Sequence, residues 1–118
     1  MSQSLHSWVR HKGNVTNIDF FSADHLVSAS TYGEIMEHHI KNENLTTKTI
    51  FSNNKFDFRD ILIRKDVIYA VSRSGHVVIK DKKGIQTIQL DQLKNPQGIT
   101  PMGDDLLLVI GERGILQL

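Results

Sequence analysis

Ser28 and His11 are of the types that make a nucleophile and its general base, and His38-His39 of the type that ligates a metal ion. A serine becomes a nucleophile when an imidazole lies within reach and a sharp turn presents the hydroxyl. No glycine-framed serine of that kind occurs here. The expected role of the pair is therefore a structural hydrogen bond that ties a loop to a strand. Neighbouring strand residues point to opposite faces, so His38 and His39 cannot easily share one ion. No spaced acidic or histidine partner accompanies them, so neither metal nor cofactor is expected. Asp57 with Asp60, and Asp104 with Asp105, contain the carboxylates of an acid–base pair. The first two flank the start of a strand and are expected to face solvent. Asp105 reads as a turn residue, since aspartate stabilises turns through its own backbone. Lys80-Asp81-Lys82-Lys83 reads as a solvated hairpin turn. Trp8, the single tryptophan, reads as the filler of the groove where the N-terminal strand joins a blade, with a binding role as the sharper alternative.

These groups need a scaffold, and composition limits its class. The chain has 118 residues, 39% hydrophobic and 23% charged, which predicts one folded domain rather than disorder. A net charge of +1 with no basic stripe argues against nucleic acid as a partner. The absence of cysteine removes disulfides and thiolate chemistry and fits a reducing compartment. Residues 1–13 hold no apolar stretch of signal-peptide length, and the longest aliphatic run is Leu106–Ile110. The expected location is intracellular, cytoplasmic or nuclear, with no membrane contact. Asn14-Val15-Thr16 and Asn44-Leu45-Thr46 match the glycosylation pattern by chance on this reading.

Strand signals dominate. Residues 15–21, 25–30, 34–40 and 45–51 read as four strands joined by short turns. Residues 58–63, 67–72, 76–80 and 85–90 repeat the plan, and 98–102, 106–111 and 115–118 repeat it for three strands. Residues 4–10 form a further, lone strand candidate. The units are internally similar. Gly33, Gly75 and Gly114 lie 42 and 39 residues apart, each after an apolar run and a turn. Asp24, Asp66 and Asp105 keep the same spacing two positions before each run. A period near 40 in strand-like sequence predicts the blades of a β-propeller. The expected fold is all-β, with about three four-stranded antiparallel blades at residues 11–51, 58–90 and 96–118. Residues 4–10 would supply the outer strand of a preceding or shared blade. Pro101 falls in the first strand of the third unit, where only an edge tolerates the missing N–H.

The segment His11-Lys12-Gly13-Asn14-Val15-Thr16-Asn17-Ile18-Asp19-Phe20, followed by Leu26-Val27-Ser28-Ala29-Ser30, resembles the opening of a WD repeat. The resemblance covers residues 10–40 in its specific positions and most of the chain as a period. It implies a buried hydrogen-bond network of histidine, serine, aspartate and tryptophan, in which His11 and Ser28 fill two roles. The family's glycine before the histidine is Arg10 here, its turn aspartate is Tyr32 and its tryptophan is His38.

The leading expectation for function is a non-enzymatic scaffold for protein–protein interaction. Propeller loops build flat faces, and one such face would carry His11, Lys12, Tyr32, Lys55, Arg59, Arg73, Glu112 and Arg113. The alternative is a self-assembling lectin with one sugar pocket per blade. Its aromatics should repeat between units, but Tyr32 aligns with Ser74 and Tyr69 with Val27. An enzyme ranks third. Rings need four to eight blades, so a second copy, a partner chain or a longer parent is expected to complete this one.

Overall fold

A computed structural model describes residues 7–118 as an all-β chain with no helix among them. Accordingly, no helix among the described residues is long and apolar enough to cross a membrane. Eleven strands form three antiparallel sheets. The first sheet orders β1 (Val15–Ser22), β2 (His25–Ser30), β3 (Glu34–Lys41) and β4 (Asn44–Ser52). The second orders β5 (Phe58–Arg64), β6 (Val67–Ser72), β7 (His76–Asp81) and β8 (Gly84–Gln89). The third has β9 (Lys94–Met102), β10 (Leu106–Glu112) and β11 (Gly114–Gln117), with β10 in the middle. Each expected strand from residue 15 onward is present, and β9 starts four residues earlier than the sequence suggested. Of the lone strand expected at residues 4–10, residues 7–10 are irregular, and residues 4–6 lie outside the described part. Pro101 sits on β9, an edge strand, opposite Leu107, where its missing N–H faces away from the ladder.

The sheets stack in chain order, and the middle one shows why. Along β6, Ile68 and Ala70 enter a core shared with Val27, Ala29 and Ile35 of the first sheet. Val71 belongs to a second core with Leu107 and Val109 of the third sheet, and Tyr69 packs against it. A strand covered on both faces must be apolar at every position, which is why Ile68-Tyr69-Ala70-Val71 does not alternate. Phe58, fully buried, anchors the first core; burial of such a ring is worth about 1.5–3 kcal/mol. Phe51 and Phe56 meet it with ring centroids 5.8 and 5.9 Å away.

The first strands of successive sheets run side by side and are stitched by side chains. Thr16 Oγ1 donates to Phe58 O at 2.7 Å, and Asp19 Oδ2 accepts from Ile63 N at 2.7 Å. Asp60 accepts from Asn17 Nδ2, from its own neighbour Ile61 N (2.8 Å) and from Ile99 N (2.9 Å). The expectation that Asp60 faces solvent therefore fails: the carboxylate lies in the seam, where it satisfies main-chain donors that no ladder reaches. At the far end of the seam Arg64 donates to the carbonyls of Gly103 and Leu106.

The two outermost faces of the stack are apolar and open. Ile18 and Phe20 on the first sheet are each 47% exposed, and Ile110 and Ile115 on the third are 45% and 67% exposed. The Cα radius of gyration is 14.9 Å over extents of 51 × 31 × 31 Å, against about 13.5 Å for a compact domain of this length.

Candidate functional site

Pairing of β2 with β3 sets Leu26 opposite His38 and Ser28 opposite Met36, so Ser28 and His38 share the outer face of the first sheet. The loop before β1 brings His11 onto that face. His11 Nε2 lies 2.5 Å from Ser28 Oγ, which lies 2.6 Å from His38 Nε2. His38 Nδ1 is 2.9 Å from Thr47 Oγ1 on β4. His11 Nδ1 stands 3.4 Å from Glu34 Oε1, close enough for attraction but outside hydrogen-bond alignment. The same oxygen accepts Lys12 N at 2.8 Å. One placement of hydrogens serves the whole chain of atoms: Thr47 donates to His38, His38 to Ser28 and Ser28 to His11, whose remaining N–H faces Glu34.

The hydrogen bond expected between His11 and Ser28 is present, and further residues join it in a network. His38 belongs to it, bonded to Ser28 in place of the tryptophan that the resemblance implies. Its acidic member is Glu34, two residues beyond Tyr32. Glu34, Ser28 and His38 are each about 5% exposed or less. Burial lowers the pKa of His11, with Glu34 opposing the shift. Burial also lowers the pKa of His38, helped by the nearby His11 and Arg10. Both rings are neutral near pH 7. Ser28 Oγ is held between two imidazoles, as a structural hydroxyl is, and no turn presents it to solvent. Beside the network lies a cavity of about 310 Å³ lined by Trp8, Ile18, Leu26, Ile40 and Leu45 as well as His11, Ser28 and His38. Trp8 borders this cavity and is itself 38% exposed.

The proposed contact face maps to the end of the stack that carries the β2–β3 type turns and the links between sheets. Lys12, Tyr32, Lys55, Arg73, Glu112 and Arg113 are exposed there. Arg59 is partly buried and pairs with Asp57 at 2.7 Å. The His11 ring is 3% exposed and turned into the network, so Lys12 is the part of that loop offered outward. Glu112 accepts from Asn95 Nδ2 at 2.6 Å. Asp104 and Asp105 are exposed at the opposite end, and Asp105 meets Lys65 at 3.4 Å. Tyr69 is held against the second core, so it forms no counterpart to Tyr32.

His38 and His39 do point to opposite faces. The expectation that neither has a spaced partner is wrong for His39, whose ring stacks on His25 at 4.0 Å across the β2–β3 ladder. Sequence reading also missed Glu34 and Thr47. Both follow from strand register rather than from any local motif. No family model and no curated protein matches this chain in sequence.

Proposed function

We propose that the chain is a three-blade segment of a WD-repeat-like β-propeller and acts as a non-enzymatic scaffold for protein–protein interaction. The observation that carries this reading is the stack itself: sheets covered on both inner faces, with open apolar faces at both ends. A contiguous apolar sheet face in water is a binding surface or an aggregation hazard. Further sheets of the same kind, from a partner chain, a longer parent or a second copy, fit those faces. The His11–Ser28–His38 network supports the reading as a device that pins the entry loop of a blade to its second and third strands. The exposed Lys12, Tyr32, Lys55, Arg73 and Arg113 supply the aromatic and basic side chains that interfaces favour.

Size-exclusion chromatography with light scattering tests it. The expected result is a dimer, if two copies close a six-bladed ring, or association into larger species, if foreign blades are required. A monodisperse, folded monomer at micromolar concentration overturns the propeller-completion reading.

A further inference from the structure

We propose that His25, Glu37 and His39 form a surface site for a divalent transition-metal ion of the Zn²⁺ class, straddling β2 and β3. Their ligand atoms all lie within 4.8 Å of one another. Among the described residues this is the one group of three such side chains so placed. The register explains the convergence. His25 is directly opposite His39, and Glu37 is two residues before His39 on the same strand, so all three project from one face. That face is opposite to the one carrying His38, so the site is separate from the buried network.

The set suits the ion. Two imidazoles and one carboxylate are ligands for zinc, with bonds near 2.0–2.2 Å and a fourth position left to water. Ligands on a tetrahedron of that size sit about 3.3 Å apart, so a pair at the 4.8 Å limit closes by about 1.5 Å, and the His25–Glu37 pair opens slightly. His39 is exposed and can turn, and His25 and Glu37 are 26% and 22% exposed, so ion and water have access. His25 Nε2 and Glu37 Oε2 are already 2.6 Å apart around a shared hydrogen. The ion takes that hydrogen's place, and the neutral imidazole carries its N–H on Nδ1. Phe21 stacks on the other side of His25 at 4.3 Å and limits its swing. Nitrogen donors rank Cu²⁺ and Zn²⁺ far above Mg²⁺.

The test uses the full chain without an affinity tag, treated with chelator and titrated calorimetrically with ZnCl₂. One equivalent should bind. Glu37→Gln and His39→Gln should each weaken binding at least tenfold, and His76→Gln should leave it unchanged. Histidine-selective NMR should shift the ring nitrogens of His25 and His39 and leave those of His11 and His38 in place. No binding at equimolar zinc, binding indifferent to His39→Gln, or Mg²⁺ binding as tightly as Zn²⁺ would each overturn the site. His39 is exposed, so its substitution does not endanger the fold.

Discussion

Ser28 carries one hydrogen and two imidazole neighbours, and the ionisation of those rings is coupled to folding. His11 and His38 have folded-state pKa values lowered from 6.5 by burial. In the unfolded chain both regain the ordinary value, so the unfolded state binds more protons between the two. Stability is therefore full above pH 6.5 and is lost as pH falls through 6.5 toward the folded values. Each histidine contributes a slope of at most about 1.4 kcal/mol per pH unit in that window. Urea midpoints measured from about pH 7.5 to about pH 5.5 should drop accordingly. His38→Trp should flatten the profile, because an indole N–H still serves Ser28 and cannot be charged, and the adjoining cavity receives the larger ring. An unchanged slope in that variant would show that His38 is not one of the titrating groups. Asp60 gives a second prediction at this scale. Asp60→Ala strands Ile99 N and Asn17 Nδ2 in the seam, and should cost about 2–4 kcal/mol in denaturant unfolding; a loss under 1 kcal/mol would mean that water replaces the carboxylate. His11 and Ser28 were legible through the resemblance of their two segments to a known repeat. His38, Glu34 and Asp60 were not, since their roles depend on which strand lies opposite.

Among the elements, strands were read well because apolar runs and turn residues alternate cleanly from residue 15 onward. The tight turn at Thr31-Tyr32-Gly33 already implied the pairing of His25 with His39, so the metal-ligand cluster was present in the sequence as register rather than as a motif. The periodic aspartates were a poorer guide. Asp66 occupies a two-residue turn with Lys65, both at positive φ, as in a type I′ hairpin. Asp24 has negative φ and accepts Ser22 Oγ at 2.9 Å, and in the third sheet it is Gly103 that takes the left-handed position. Equal spacing along the chain thus conceals three different turns. Gly33 is a stricter requirement: at φ +75 an added Cβ would lie 1.7 Å from Asn53 O, within the strand-to-strand link. Gly103, at φ +65, has open space around it. Gly103→Ala should cost about 1–2 kcal/mol, the left-handed penalty alone, and Gly33→Ala distinctly more, because backbone must move. Equal urea midpoints for the two variants would contradict this assignment.

For the molecule as a whole, sequence showed the three units, while the packing order and the exposure of the end faces needed the fold. Ile18 and Ile110 lie on the two open faces, and Ile85 is equally exposed at 46% but on the edge strand of the middle sheet. If the end faces receive further sheets, Ile18→Glu and Ile110→Glu should each lower the light-scattering mass toward that of one chain, because a buried unpaired carboxylate is prohibitive. Ile85→Glu should leave the mass as it was. A uniform response of all three variants would trace association to general stickiness rather than to the stack.

The carboxylates of Asp19 and Asp60 each take a main-chain N–H from the sheet that follows in the chain. The seam therefore has a direction, with a giving side and a receiving side. If a further sheet joins by the same rule, it joins head to tail, which is a heterologous contact. Such contacts close on themselves only when the rotation per sheet divides a full turn, and otherwise they propagate. Where closure fails, the product is a one-dimensional fibre with a front and a back, rather than an amorphous precipitate.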